Sequence, residues 1–445
     1  MKKDHKQKNV ILGAGMTGLT IAMSTGYPVY EANSRPGGIC YSYRVDARTH
    51  KILQNRSKLQ EAYHFHFAGG KWVGNIDAKV LKFIRQFVSP QKYVRRSGVY
   101  FPRKNLVVPY PIQNNLRCLD KAVTAKALQE ISEKRGEGDG TLSSWLMAHF
   151  GPTLCELFFY PFHNLYTAGL YDKIVPQDAH KSPISPGLMV RGAHTATPLV
   201  GYNTTFIYPK EGLTAWVNRI AEKVNINYGR WVQKIDLARK EIHFTDKSVV
   251  TYQKIISTIP LNQMVSLTNL KVDEPPDPYT SALVLNIAAG RGDNLPDAHW
   301  LYIPHSTAGF YRVGCYSNVD KIFLPKSMRK SDQHVMLYVE KAYLGGEKPS
   351  PAQIRAYIRQ ATDELRSWGF IKSIEFVDPN WIDTAYAWSW KKSNWKEKAI
   401  QILKDNHIQQ AGRYGRWGKA QIIADCIREG LRFRGPSKRC VKGQP

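Results

Sequence analysis

Near the N-terminus, Val10-Ile11-Leu12-Gly13-Ala14-Gly15-Met16-Thr17-Gly18-Leu19 restricts the possible folds more than any other part of the chain. A short apolar run enters a Gly-x-Gly-x-x-Gly turn and leaves it as a helix, expected over Leu19 to Ser24. The three glycines allow a tight turn, a close backbone approach to a pyrophosphate, and close packing of helix on strand. The free N–H groups and the dipole of the helix start then favour negative charge. Val29-Tyr30-Glu31 reads as a second strand ending in an acid. At that spacing a carboxylate meets a ribose hydroxyl and disfavours a 2′-phosphorylated cofactor. The context of strand, glycine turn, helix and terminal acid separates this segment from an ordinary glycine turn, and it reads as a dinucleotide-binding unit.

Arg35-Pro36-Gly37-Gly38 follows. With the glycine turn and Glu31, it resembles the large group of FAD-dependent proteins that includes amine oxidases, protoporphyrinogen oxidase and UDP-galactopyranose mutase. Internal blocks bring the resemblance nearest to the mutase branch: Gly69-Gly70-Lys71-Trp72, Tyr110-Pro111-Ile112-Gln113-Asn114-Asn115-Leu116, Phe158-Phe159-Tyr160-Pro161-Phe162, Gly201-Tyr202-Asn203, Ser257-Thr258-Ile259-Pro260, Phe310-Tyr311-Arg312 and Gly412-Arg413-Tyr414-Gly415. The resemblance implies non-covalent FAD, and no Cys-His attachment motif is present. Under it, Gly13, Gly15, Met16, Thr17 and Gly18 form the cofactor turn, and Glu31 holds the adenosine ribose. Arg35, Gly37, Gly38, Gly69, Gly70 and Thr258 line the cofactor, and Val232 meets the adenine through its backbone. Gly412 and Arg413 touch the pyrophosphate or ring edge, and Trp417 closes the site. Lys71, Arg312 and Tyr386 are the expected catalytic residues, with Tyr110, Asn203, Tyr311 and Trp388 on the substrate. An arginine suits a diphosphate because its fork binds bidentately, and a phenol donates a hydrogen bond without carrying charge. The alternatives are an ordinary strand ion pair for Arg312 and core packing at strand spacing for Tyr386, Trp388 and Trp390.

The chain also departs from that pattern. Lys71 stands where relatives carry a histidine beside the flavin, unless His66 supplies one from a shifted register. Leu165 replaces a lysine, and the tyrosine–proline pair expected near Ala385-Tyr386-Ala387-Trp388 is altered.

Composition narrows the class. The 445 residues carry a formal charge of +27, with bases spread along the chain and denser at Lys2 to Lys8, Arg95-Arg96, Lys391-Lys392 and Arg432 to Lys442. Such a charge favours anionic partners. No nucleic-acid module accompanies it, so nucleic acid is not the expected partner, and a diphosphate-bearing small molecule accounts for part of the charge. Cys40, Cys118, Cys155, Cys315, Cys426 and Cys440 form no CxxC or Cys/His cluster, which argues against zinc and a disulfide framework. Cys40 follows the glycine pair and either approaches the cofactor or fills core space. With no membrane-length apolar run and no apolar leader, the expectation is a cytoplasmic protein without a metal.

The expected fold is α/β: a discontinuous, Rossmann-like FAD domain (1–75, 205–270 and 400–435), a helical insertion (76–180), and an antiparallel-sheet substrate domain (181–204 and 271–399) with a basic tail (436–445). The function implied by the resemblance is a FAD-dependent isomerisation of a nucleotide sugar or related glycosyl compound. An oxidoreductase acting on an amine or alcohol is the alternative, and a flavin-containing nucleic-acid-binding protein is the remote one.

Overall fold

The computed structural model describes residues 8–53, 61–133, 136, 138–176, 183–418 and 422–435. Lys2, Lys3 and Lys6, Cys440 and the tail 436–445 lie outside the described residues.

Lys8–Leu12 runs parallel to Val29–Tyr30 on one side and to the end of Val249–Ser257 on the other. Ile226–Asn227 extends this sheet beyond Val29–Tyr30, and Ile408–Gln410 pairs with Ile255, Ile256 and Ser257 on their second side. Val10, Ile11, Leu12, Ile255 and Ile256 are all buried, as a parallel sheet covered on both faces requires. The first half of Val249–Ser257 leaves the parallel array and pairs antiparallel with Glu241–Phe244, which pairs with Val232–Asp236.

The helix after the glycine turn spans Met16–Thr25 and ends on Gly26 in the left-handed conformation. It packs between Leu213–Ala221 and Ile423–Gly430. Gly18 makes this possible, because a Cβ there would overlap the carbonyl oxygen of Gly13.

The second sheet runs in the order Ile371–Ala387, Tyr279–Arg291, His334–Leu344, Arg312–Cys315, Trp300–Tyr302, Ser97–Phe101 and Leu106–Pro109. Every pairing is antiparallel except Trp300–Tyr302 with Ser97–Phe101. The Ser97–Pro109 hairpin, which falls in the 76–180 segment by sequence, thus belongs to this sheet. Conversely Pro186–Gly192, from the 181–204 segment, packs on the helical region, with Gly192 against the Asn114 backbone. The 17-residue strand Ile371–Ala387 stays in register through Asp378-Pro379, where its place at the sheet edge tolerates the proline, and loses its alternation where the register shifts between Ile371 and Phe376 and between Ile382 and Tyr386.

The helical lobe contains Lys121–Ser132, then Leu142–Leu154, whose N-cap Thr141 accepts from the Ser144 N–H. Gly151, at φ 74°, kinks that helix. The chain continues through a π-helical turn, Cys155–Phe159, into Tyr160–Tyr166. Ser42–Asp46 and Ala62–His66 form a small antiparallel pair between the lobes. There Asn286 Nδ2 donates to Tyr43 Oη (3.0 Å) and to the His66 carbonyl (2.8 Å), tying the cofactor lobe to the large sheet.

Among the described residues no helix is long and apolar enough to cross a membrane, no cluster of three or more His, Cys, Asp or Glu side chains is arranged to hold a metal, and the cysteines are free thiols. Gly18→Ala forces a methyl into the Gly13 backbone, which cannot retreat, and is expected to cost about 2–3 kcal/mol. Chemical denaturation of the variant checks this; a midpoint equal to the parent's would show that the helix does not depend on that contact.

Candidate functional site

A cavity of about 840 Å³ opens at the carboxyl ends of the parallel strands and runs under the second sheet. At one end its walls are Gly13, Gly15, Met16, Thr17, Glu31, Asn33, Arg35, Gly37 and Gly38. Gly15 caps the Met16–Thr25 helix without a side-chain hydrogen bond, and a Cβ built on it meets nothing within 4 Å. A bare helix N-terminus therefore faces open space. Gly13, at φ 95°, lies against Thr258, whose Oγ1 donates to the Leu12 carbonyl at 2.9 Å.

Glu31 is 5% exposed and accepts from Ala14 N–H (2.7 Å), Asn33 N–H (2.9 Å) and Asn33 Nδ2 (2.8 Å). A carboxylate has about four acceptor sites, so these bonds orient Glu31 and leave capacity for a ribose hydroxyl. The Arg35 guanidinium lies 3.6 Å from the Tyr41 ring centroid, and burial lowers its pKa. These features fit FAD: an uncapped helix start for the pyrophosphate, an oriented acid for the ribose, and Val232 at the same cavity wall for the adenine.

A second group of residues surrounds Lys71. Burial, reinforced by the neighbouring Arg413, pushes the Lys71 pKa down to about 8. Arg312, on the strand Arg312–Cys315, pairs with Glu340, which is 3% exposed. Tyr311 Oη donates to the other Glu340 oxygen at 2.6 Å. Burial pulls the Arg312 pKa down, but Glu340 together with Tyr338, Tyr386 and Tyr311 outweighs it and holds the guanidinium well above its ordinary value. Arg413 donates to the Ala385 carbonyl at 3.1 Å and lies 5.0 Å from the Tyr386 ring centroid. Arg312 is thus a partly buried cavity residue whose ion pair runs between neighbouring strands rather than over the surface.

Tyr110, Phe158, Phe162, Tyr166, Tyr202, Tyr302, Tyr311 and Tyr386 form an aromatic wall. The π-helical turn sets part of it: Phe162 stacks between Phe158 and Tyr166, with centroids at 5.2 and 5.6 Å. Tyr386 stands edge-on to Tyr166 at 4.8 Å.

The cavity brings together Gly13, Gly15, Met16, Thr17, Glu31, Arg35, Gly37, Gly38, Gly70, Lys71, Tyr110, Val232, Thr258, Tyr311, Arg312, Tyr386, Gly412 and Arg413. Five other site candidates do not line it. Gly18 serves the helix packing, and Gly69 abuts the Glu340 carboxylate. Asn203 is buried against Gly74. Trp417 donates to the Trp388 carbonyl (3.0 Å), and Trp388 donates to Thr280 Oγ1 (3.1 Å), so both are buried in packing behind the wall. A shifted-register histidine is also absent from the cavity. His66 is buried among Trp72, Tyr208, Tyr316 and Phe323, its Nε2 2.9 Å from Tyr208 Oη. Its Nδ1 accepts from the Lys71 N–H at 3.0 Å, so it supports the turn that carries Lys71. Cys40 does line the cavity; burial pushes its thiol up to about 12, which keeps it neutral and unreactive.

Sequence reasoning missed Glu340, which lies in a strand without a motif around it. It also missed Trp231, 60% exposed and lining the cavity beside Val232. Tyr166 and Tyr202 sit within or beside blocks already singled out, so only the direction of their side chains was lacking.

A family model described as "Flavin containing amine oxidoreductase" matches residues 27–432. The fold is similar to that of reduced UDP-galactopyranose mutase, with TM-score 0.79 and 22% identity over 96% of this chain and 94% of that one. It is similar to a protoporphyrinogen oxidase-like protein from Exiguobacterium sp., with TM-score 0.68 and 14% identity over 96% and 97% of the two chains. A fatty acid isomerase from P. acnes that produces CLA gives TM-score 0.57 and 13% identity over 96% and 98%. With the cofactor turn, the oriented Glu31 and this match over most of its length, the chain belongs to the flavin-containing amine oxidoreductase family and is a FAD-dependent enzyme.

Proposed function

We propose that this enzyme acts on a diphosphate-bearing glycosyl compound, such as a nucleotide sugar, and catalyses a redox-neutral isomerisation of the kind named for UDP-galactopyranose mutase. The observation that carries this reading is the charge around Lys71. Lys71, Arg312 and Arg413 converge there, against one buried carboxylate, Glu340. Three cations with a single close carboxylate among the described residues favour an anion, and their partial burial strengthens that preference. Asp383 also lines the cavity, but it is exposed and accepts from Gln263 at 3.4 Å.

In this reading the Gly15 helix start and Arg35 hold the cofactor pyrophosphate, and Glu31 holds its ribose. The flavin, when bound, supplies the bond-making or hydride-accepting chemistry. Arg312 and Arg413 bind the substrate diphosphate and stabilise its charge as it departs. Tyr311 and Tyr386 stand beside them as neutral donors. The wall of Phe158, Phe162 and Tyr166 excludes water and packs on the glycosyl or nucleoside part. Lys71 adds a cation below its pKa and has a proton to exchange near it.

Oxidation of an amine or alcohol is the second reading, favoured by the family model. The cations at Lys71 weigh against a protonated amine, which they would repel. Anaerobic incubation with a panel of nucleotide sugars, with and without dithionite, separates the two. The first reading expects turnover by the reduced enzyme alone, without net consumption of reductant. Turnover of an amine or alcohol by the oxidised enzyme, with oxygen uptake, would replace it by the second.

Lys71 gives this reading a pH signature. It is charged below about 8 and neutral above, so affinity for UDP is expected to fall as the pH rises through that value. Loss of one cation near a diphosphate should weaken binding roughly tenfold between about pH 7 and about pH 9. Lys71→Met should bind more weakly at the lower pH and show no step. Titration calorimetry across this range checks both, and a step that persists in the variant would assign it to another group.

A further inference from the structure

We propose that Glu340 is an internal countercharge that occupies one edge of the Arg312 guanidinium and sets how tightly the cavity holds its anionic substrate. This assignment rests on the anionic-substrate reading given above.

Three observations meet at this one carboxylate. Glu340 and Arg312 are directly opposite each other on neighbouring antiparallel strands, so their separation is fixed by the sheet rather than by flexible loops. One oxygen of Glu340 accepts from Arg312 Nη2, and the other accepts from Tyr311 Oη at 2.6 Å. A Cβ on Gly69 would overlap the first oxygen, so the carboxylate also lies against the turn Gly69-Gly70-Lys71. Glu340 therefore touches the arginine, the tyrosine and the backbone that presents the lysine, while the cavity itself is lined by Arg312, Tyr311 and Lys71.

Arg312 still has binding capacity. It lines the cavity with 16% of its side chain exposed, while its Nε is buried with no hydrogen-bond partner among the described residues. A guanidinium presents five donors in a rigid fork, and Glu340 accepts from Nη2 alone, so donors remain for an acceptor in the cavity. A phosphate oxygen is the acceptor that suits it, since two-point binding of phosphate is the particular strength of arginine. Glu340 takes one edge and leaves the other. The substrate thus meets an arginine whose orientation is already set, but whose charge is partly spent.

The charge balance gives the inference its direction. Among the described residues, Glu340 is the carboxylate in contact with this group of cations, and neutralising it removes that one offsetting charge. A carboxylate whose only duty was to hold Arg312 in place would, when neutralised, loosen the arginine and weaken anion binding. A carboxylate that sets affinity would, when neutralised, strengthen it. In this geometry the charge term dominates. Arg312 stays on its strand and remains 5.8 Å from the Tyr338 ring centroid, whereas the repulsion between Glu340 and an incoming phosphate disappears. Glu340 is accordingly a specificity-determining and positioning residue: it keeps the resting cavity stable and keeps a diphosphate from binding too tightly to leave.

The test titrates the parent holoenzyme, Glu340→Gln and Glu340→Asp with UDP and with inorganic pyrophosphate by calorimetry. Glu340→Gln removes the charge at nearly constant shape and is expected to bind both probes roughly tenfold or more tightly, a gain that shrinks at high salt. Glu340→Asp keeps the charge but withdraws it from the guanidinium, and is expected to give a smaller gain in the same direction. It carries the test by itself if the glutamine variant does not fold. Glu364→Gln, which alters a buried carboxylate that holds the Ser306–Ala308 loop, serves as the comparison and should leave affinity unchanged. If the parent binds the probes and neither Glu340 variant binds them more tightly, the countercharge role is wrong while the anionic-substrate reading stands. If the parent binds neither probe, both fall.

Discussion

The pairing of Ile255, Ile256 and Ser257 with two strands from opposite ends of the chain is the interaction on which everything else rests. Lys8–Leu12 lies on one side and Ile408–Gln410 on the other, and each is followed at once by a turn that lines the cavity: Gly13, Gly15, Met16 and Thr17 after the first, Gly412 and Arg413 after the second. The central strand itself continues into Thr258. The three segments reach the cavity together only because the three strands end in register. A cavity assembled from the beginning, middle and end of a chain is a product of non-local pairing, which is entropically expensive to reach and is repaid only when the sheet is complete.

That sheet carries the Gly13 turn and Arg413 to the cavity, and the second sheet supplies the Arg312–Glu340 pair. Arg312 and Glu340 face each other across two strands, and Tyr386 comes from the last part of the edge strand. The helical lobe contributes mainly aromatic side chains, through a helix that is irregular where it meets the cavity. A hydrogen bond from the Tyr160 N–H to the Cys155 carbonyl widens that helix by one residue. π-turns of this kind recur at functional sites because they re-aim the side chains that follow. Here they turn Phe158, Phe162 and Tyr166 to the same wall.

The cofactor half was largely legible in the sequence, for a physical reason. Binding a pyrophosphate by backbone N–H groups demands glycines at fixed spacing, and Gly13 and Gly15 line the cavity together with Glu31. The substrate half was legible only in outline. Arg312, Tyr386 and Lys71 do converge, but Trp388 and Trp417, chosen by the same reasoning, are packed behind the wall. Both came from the resemblance, and for Trp388 the alternative of core packing at strand spacing is what the structure shows. Glu340 was invisible because its importance lies in its cross-strand partner, a matter of register that no local pattern encodes. Lys71 is the instructive departure: a lysine replaces the expected histidine, and the nearest histidine, His66, is buried beneath the turn, where it accepts the Lys71 N–H.

The proline within Ile371–Ala387 has a consequence for how the molecule meets its surroundings. This long strand is the outer edge of a seven-stranded sheet, and such an edge is a template on which another chain can add by main-chain pairing. Pro379 is exposed near its middle and has no N–H to offer, and Lys372 is exposed near its start. Asp378, beside the proline, is drawn inward by Tyr43. An exposed proline, which leaves the inner ladder in register, and an exposed lysine therefore interrupt its open edge, so a large sheet can end at solvent without inviting a second sheet to continue it.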